Sequence, residues 1–321
     1  MPLRTQGAAL LLALVAVIAQ AQRVPTRRFG RTEIDMPVFT MGGMRTQQSW
    51  GRGGASDITS MSQVDEECQN NFVKILERAL ELGVNHFETA RGYGCSELQY
   101  GDALKQLFAR GTKREDLILQ TKVSPFATPE EFRETLELSL SLLGVDYIDL
   151  FAFHGINTEQ KLEWTMREGG CMEVAKEYQR AGKLRWIGFS THGMTPLIIK
   201  TIETGAFDYV NLHYHFIGSY TSTGSGPSGG NWPAIEAASR HDMGVFIISP
   251  NDKGGMLYKP PQKLADATAP LTPVRHLSTR RQTDEEQPAS QPASQPPSQL
   301  CLYDSGMRRR RRSFLLSLCR C

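Results

Sequence analysis

Four side chains in this sequence could move a proton together. They are Glu88, Tyr93, Lys122 and His154: a carboxylate, a phenol, an ammonium and an imidazole. A tyrosine with an ordinary pKa near ~10 is a poor acid at neutral pH. A lysine cation beside it stabilises the phenolate and lowers that pKa. A carboxylate would hold the lysine, and an imidazole would hydrogen-bond the oxygen of a bound substrate. Each residue also has a plainer use. A strand-end lysine pairs with solvent or a carboxylate, a histidine packs, and Tyr93 between Gly92 and Gly94 anchors a turn. The set reads as a site because of where the surrounding elements put it.

From Val38 onward, strand-like apolar runs alternate with amphipathic helix-like runs. The predicted strands are Val38–Met44, His86–Thr89, Leu117–Lys122, Tyr147–Phe153, Trp186–Ser190, Tyr209–His213 and Gly244–Ser249. Between and after them fall predicted helices at Asn71–Leu82, Ser96–Arg110, from Pro129, and at Met172–Ala181, Thr195–Glu203 and Trp232–Arg240. The helix from Pro129 has the clearest start. Thr128 can cap it, proline suits its first position, and Glu131 completes a capping box. Gly83 and Gly182 lie just past helix ends, where glycine is favoured. Seven β/α alternations imply a parallel sheet covered by helices. No Gly-x-Gly-x-x-Gly follows an early strand, which argues against a dinucleotide-binding doubly wound sheet. The expected fold is a (β/α)8 TIM barrel, with its site at the C-terminal ends of the strands. Glu88, Lys122 and His154 then lie at or just beyond three successive strand ends, and Tyr93 follows Glu88 in its loop. An eighth β/α unit should follow Pro270, and none is recognisable.

The chain has 321 residues, 40% hydrophobic and 22% charged, enough to bury a large core. That excludes a wholly disordered chain and a fibre. Six cysteines are too few for a disulfide-dense scaffold. The net charge of +2 is unevenly spread: the segment from Leu271 onward carries +5 and the remainder −3. A nucleic-acid footprint on the folded part is therefore not expected. Ala8–Ile18 is an apolar run of eleven residues followed by Ala19-Gln20-Ala21, an A-x-A cleavage pattern. Residues 1–21 read as a signal or targeting peptide. The run is short of the roughly 20 residues of a transmembrane helix. If the leader acts, the secretory pathway or an organelle lumen is implied; otherwise the chain is cytoplasmic. Residues 276–321 read as a disordered tail. They contain QPASQPASQPPSQ over Gln287–Gln299, five arginines at Arg308–Arg312, and an apolar end at Phe314–Leu318.

Phe87-Glu88-Thr89-Ala90-Arg91-Gly92-Tyr93-Gly94, with Glu97 three residues on, resembles the aldo-keto reductase signature Asp-Thr-Ala-x-x-Tyr-Gly-x-x-Glu. Leu119–Val123, Asp146–Leu150 leading to His154-Gly155, Gly188-Phe189-Ser190, and Ile248-Ser249-Pro250 with Gly254-Gly255 follow in the family order. The resemblance spans residues 28–275 and is closest to the "predicted oxidoreductase" branch, with the C-terminal part missing or replaced. Some members of that branch carry an iron–sulfur domain, but no ferredoxin-like cysteine run is present here. The resemblance implies an NADPH-dependent oxidoreductase acting on a small carbonyl or alcohol, with Tyr93 as proton donor and Glu88, Lys122 and His154 completing a tetrad. It places the cofactor against Ser190, Asn211, Ser249, Pro250, Gly254 and Gly255. Glu88 stands where the family has aspartate. Thr191 and Leu212 stand where it often has asparagine and glutamine, and Ile248 where an aromatic often stacks on nicotinamide. The altered carboxamide contacts and the missing eighth unit leave a second reading, a catalytically impaired binding or regulatory member. A third is a metal-dependent hydrolase barrel built on His213 and His215 with His192 and His154. Such barrels usually add His-x-His on the first strand, which Val38–Met44 lacks, so no metal is expected.

Overall fold

The computed structural model describes residues 23–45, 57–214, 230–249 and 260–270, and the backbone of 314–316. A two-stranded antiparallel hairpin comes first, β1 (Thr26–Arg28) with β2 (Asp35–Pro37). The main sheet then runs through β3 (Met41–Gly42), β4 (His86–Glu88), β5 (Ile118–Val123), β6 (Ile148–Phe153), β7 (Leu184–Ser190), β8 (Tyr209–His213) and β9 (Gly244–Ile248). Each strand pairs in parallel with the next in sequence. The eighth place is taken by β10 (Phe314–Leu316), parallel to β9, with no pairing to β3. The curled sheet has the strand order of a (β/α)8 barrel, with its seam open between β10 and β3. An eighth strand, absent from the expectation, thus comes from within the segment read as a disordered tail. Residues 271–313 and the leader lie outside the described residues.

The covering helices are α1 (Glu66–Glu81), α2 (Ser96–Ala109), α3 (Pro129–Leu143), α4 (Glu159–Met166), α5 (Cys171–Arg180), α6 (Thr195–Glu203), α7 (Trp232–Arg240) and α8 (Gln262–Thr268). At α3 the Thr128 side chain accepts the Glu131 N–H as expected, and the Thr128 hydroxyl donates to the Glu131 carboxylate at 2.8 Å. α1 starts five residues before its expected first residue, because Asp65 caps it by accepting from Cys68 N–H. Among the described residues, no helix is long and apolar enough to cross a membrane.

Two apolar layers follow from strand alternation. Outward residues such as Phe87, Leu119, Phe151, Phe153, Phe189, Val210 and Leu212 pack beneath the helices. Inward residues Leu150, Ala152, Tyr209 and Phe246 fill the barrel over Phe29 and Met36 from the hairpin, which plugs its floor. The plug is tight: a Cβ on Gly30 would stand 2.3 Å from the Gly244 nitrogen, and Gly30 has φ +55°. Only glycine meets both demands.

Candidate active site

Register places the chemistry-bearing residues. Gln120 pairs with Leu150 and Lys122 with Ala152, so Lys122 projects into the barrel interior one layer above Gln120. Glu88 pairs with Gln120 on the other side and points inward too. Gly188 pairs with Tyr209, and a Cβ there would meet the tyrosine ring at 2.5 Å. Ser190 and Asn211, each two residues further along, pair with one another on the same inner face.

The four expected residues come together. The Lys122 ammonium forms a buried ion pair with Glu88 and donates to the Thr89 carbonyl at 2.7 Å. Both side chains are almost fully buried. The longer Glu88 chain thus reaches the lysine that the family's aspartate would hold. Lys122 Nζ lies 4.6 Å from the centroid of the Tyr93 ring. Tyr93 meets His154 edge to face, with centroids 5.4 Å apart and planes at 88°. His154 directly follows β6, and its N–H donates to the Val123 carbonyl at 2.8 Å. Burial first, then the charges of Lys122, His192 and Lys161, lowers the His154 pKa to about 3. At neutral pH His154 is therefore a neutral imidazole, able to donate one hydrogen bond but not to act as an imidazolium acid.

The cofactor residues divide. Ser190 Oγ accepts the Gly155 N–H at 3.0 Å, tying the end of β7 to the turn after His154. Both amide atoms of Asn211 are buried with no hydrogen-bond partner among the described residues. Leaving such groups unpaired costs on the order of 1–3 kcal/mol each, so they mark a place where a polar ligand fits. Leu212, by contrast, packs outward under the helices. It cannot hold the position expected for a carboxamide contact. The inward neighbour on that strand is Asn211, one residue earlier, which the resemblance already sets against the cofactor. Thr191 is also turned from the interior: its hydroxyl donates to the Ile156 carbonyl at 2.8 Å. Ile248 packs against the inner cluster, as its place at a strand end requires. Ser249 has φ +50°, an uncommon left-handed conformation for a residue with a side chain. Pro250, Gly254 and Gly255 lie outside the described residues. So does His215; among the described residues no three His, Cys, Asp or Glu side chains cluster as metal ligands.

Sequence reasoning left one residue of the signature without a role. Glu97, wholly buried at the start of α2, accepts from Thr121 at 2.5 Å, from Arg91 at 2.8 Å and from Ser139 at 3.2 Å. Burial raises its pKa against these partners. The carboxylate knots β5, α3 and the Tyr93 loop together, which holds Tyr93 beside Lys122. Its spacing, four residues after Tyr93 on the first turn of a helix, was the available signal.

The chain has relatives in both sequence and fold. The Aldo/keto reductase family model matches residues 40–216, and the chain belongs to that family. An uncharacterised oxidoreductase, YqkF, of Bacillus subtilis is 31% identical over 166 residues, 46% of this chain and 49% of its own length. The aldo-keto reductase str7 of Strobilurus tenacellus is 30% identical over 198 residues, 57% of this chain and 53% of its own. The chain thus spans about half the length of the curated relatives it matches. Among solved structures, an aldo-keto reductase of Bacillus halodurans in its holo form superposes with TM-score 0.55 at 22% identity, covering 74% of this chain and 70% of that one. An aldo/keto reductase of Klebsiella pneumoniae, solved with NADP and acetate, gives TM-score 0.54 at 20% identity, covering 76% of each chain. These likenesses show the barrel fold.

Proposed function

We propose that this chain is an NADPH-dependent oxidoreductase that interconverts a carbonyl and an alcohol, with Tyr93 as the proton donor. The observation that carries the reading is the assembly of Tyr93, Lys122, Glu88 and His154 at the barrel mouth. Asn211 and Ser190 would hold the nicotinamide carboxamide, and the left-handed backbone at Ser249 suits main-chain contact with phosphate. Held there by Asn211 and Ser190, NADPH would supply a hydride to the carbonyl carbon. Tyr93 gives its phenolic proton to the carbonyl oxygen, so the product is the alcohol. Lys122 stabilises the phenolate left behind, while Glu88 fixes the lysine and keeps its buried charge paired. Neutral His154 hydrogen-bonds the substrate oxygen and orients it toward Tyr93.

Tyr93→Phe tests the assignment. Loss of a general acid lowers kcat by about 10²–10⁴-fold. Steady-state reduction of a panel of aldehydes, followed by NADPH absorbance, should show that loss, and NADPH titration by fluorescence should show retained binding. Turnover equal to the parent chain would remove Tyr93 from the mechanism. NADPH binding without turnover by the parent chain would support the binding-protein alternative.

A further inference from the structure

The described loops that follow β4 through β7 carry no carboxylate: residues 89–95, 124–128, 154–158 and 191–194 contain no Asp or Glu. They do contain Arg91, His154 and His192. Glu88 is already paired with Lys122, and Asp149, near the start of β6 at the opposite end, pairs with Arg114 and Arg185.

One cation on the mouth side has no acidic partner. Lys161 sits in the first turn of α4, where its own N–H donates to Thr158 Oγ. Its side chain folds back over the turn that follows His154, and Nζ would lie 3.7 Å from a Cβ placed on Gly155. It is only partly exposed, and it makes no ion pair or side-chain hydrogen bond among the described residues. Its acidic neighbours on α4 are engaged by other cations: Glu159 by Lys200 at 2.5 Å, and Glu163 by Arg167 at 3.6 Å. Burial of a lysine with no counter-charge is unfavourable unless an anion comes to it. Gly155 directly follows His154, so an anion on Lys161 would sit close to that imidazole.

We propose that the substrates of this site carry a carboxylate or similar anion, held by Lys161 at the edge of the pocket beside His154. This rests on the oxidoreductase reading and names the substrate class for it. Lys161 follows β6, whereas the residues assigned to the cofactor lie on β7, β8 and just after β9. The cation therefore serves the substrate side and not the cofactor phosphates.

The test uses the full chain and Lys161→Met. Reduction of 4-carboxybenzaldehyde is compared with reduction of its methyl ester, which lacks the charge. Lys161→Met should lower the ratio of the two kcat/KM values tenfold or more, and Lys161→Arg should restore most of it. A ratio that moves less than twofold overturns the proposal. So does a weakened NADPH affinity in Lys161→Met, which would reassign the lysine to the cofactor. Equilibrium binding of benzoate and benzamide gives a readout that needs no turnover. Benzoate should bind more tightly than benzamide, and only benzoate should weaken in Lys161→Met. Equal binding of the two ligands overturns the proposal even if the aldehydes are reduced. Benzoate selectivity without turnover of either aldehyde keeps the subsite and removes the reductase reading.

Discussion

His86 and His154 are both held near pKa 3, burial being the first cause for each. His86 lies wholly inside the barrel, bonded to Thr40 at 2.8 Å and set edge to face against Phe246. An unfolded histidine titrates near ~6.5. Between about 6.5 and 3, the unfolded chain binds protons that the folded chain refuses. Stability therefore falls as the solution is acidified, by up to about 1.4 kcal/mol per pH for each histidine. Urea unfolding at pH 7 and pH 5 should show a lower stability at pH 5, and His86→Gln should flatten the difference. The paired comparison isolates His86 from Glu97, whose raised pKa acts with the opposite sign. The same refusal of a proton at His154 leaves a neutral imidazole beside Tyr93.

Among the elements, the contact between α2 and α3 is the least forgiving. A Cβ on Gly101 would fall 2.0 Å from the Leu142 carbonyl oxygen, a main-chain atom that cannot swing aside. Gly101→Ala should cost about 1–3 kcal/mol or more, as overpacking does, read as a lower urea midpoint. This close approach was invisible in the sequence, where Gly101 is one residue in an amphipathic helix. What was legible there was periodic or capped. The α6 and α7 limits and the β8 limits agree with expectation, and Thr128-Pro129 starts α3. What was illegible was short or polar. The hairpin strands have three residues each, and β1 is exposed throughout. Val38–Met44 reads as one strand, but Val38 N–H is bonded to the Pro25 carbonyl on the hairpin side. Only Met41–Gly42 remain to pair with β4. At the site, the tetrad was readable because its residue types are chemical and its spacing follows strand ends. That Leu212 faces away from the interior was not, since strand register decides which face a residue takes.

On the scale of the molecule, the barrel has a sealed floor, a polar mouth and an open seam. Phe29 closes the floor against Gly244, with no exposed surface of its own. Phe29→Ala should remove about 3–5 kcal/mol and lower the thermal midpoint on the order of 10 °C. Differential scanning fluorimetry would measure it, and a shift under ~2 °C would mean that the plug contributes little. The strand order and the two-layer core were both implied by the alternating sequence pattern. The origin of the eighth strand was not, because a three-residue pairing beyond a low-complexity tract leaves no periodic trace.

The floor also ties together distant parts of the chain. Arg28 holds Asp242 through two guanidinium nitrogens, at 2.8 and 2.6 Å, across 214 residues. Arg31 N–H adds a bond to the Asp242 carbonyl at 2.6 Å. On a ribosome adding about 5–20 residues per second, the partner of Arg28 arrives on the order of 10–40 s after Arg28 itself. Throughout that interval the growing chain has a hairpin with nothing to close. Until then the faces of Phe29 and Met36 that the barrel buries are open to chaperones or to other nascent chains, although they are among the first described residues to be made.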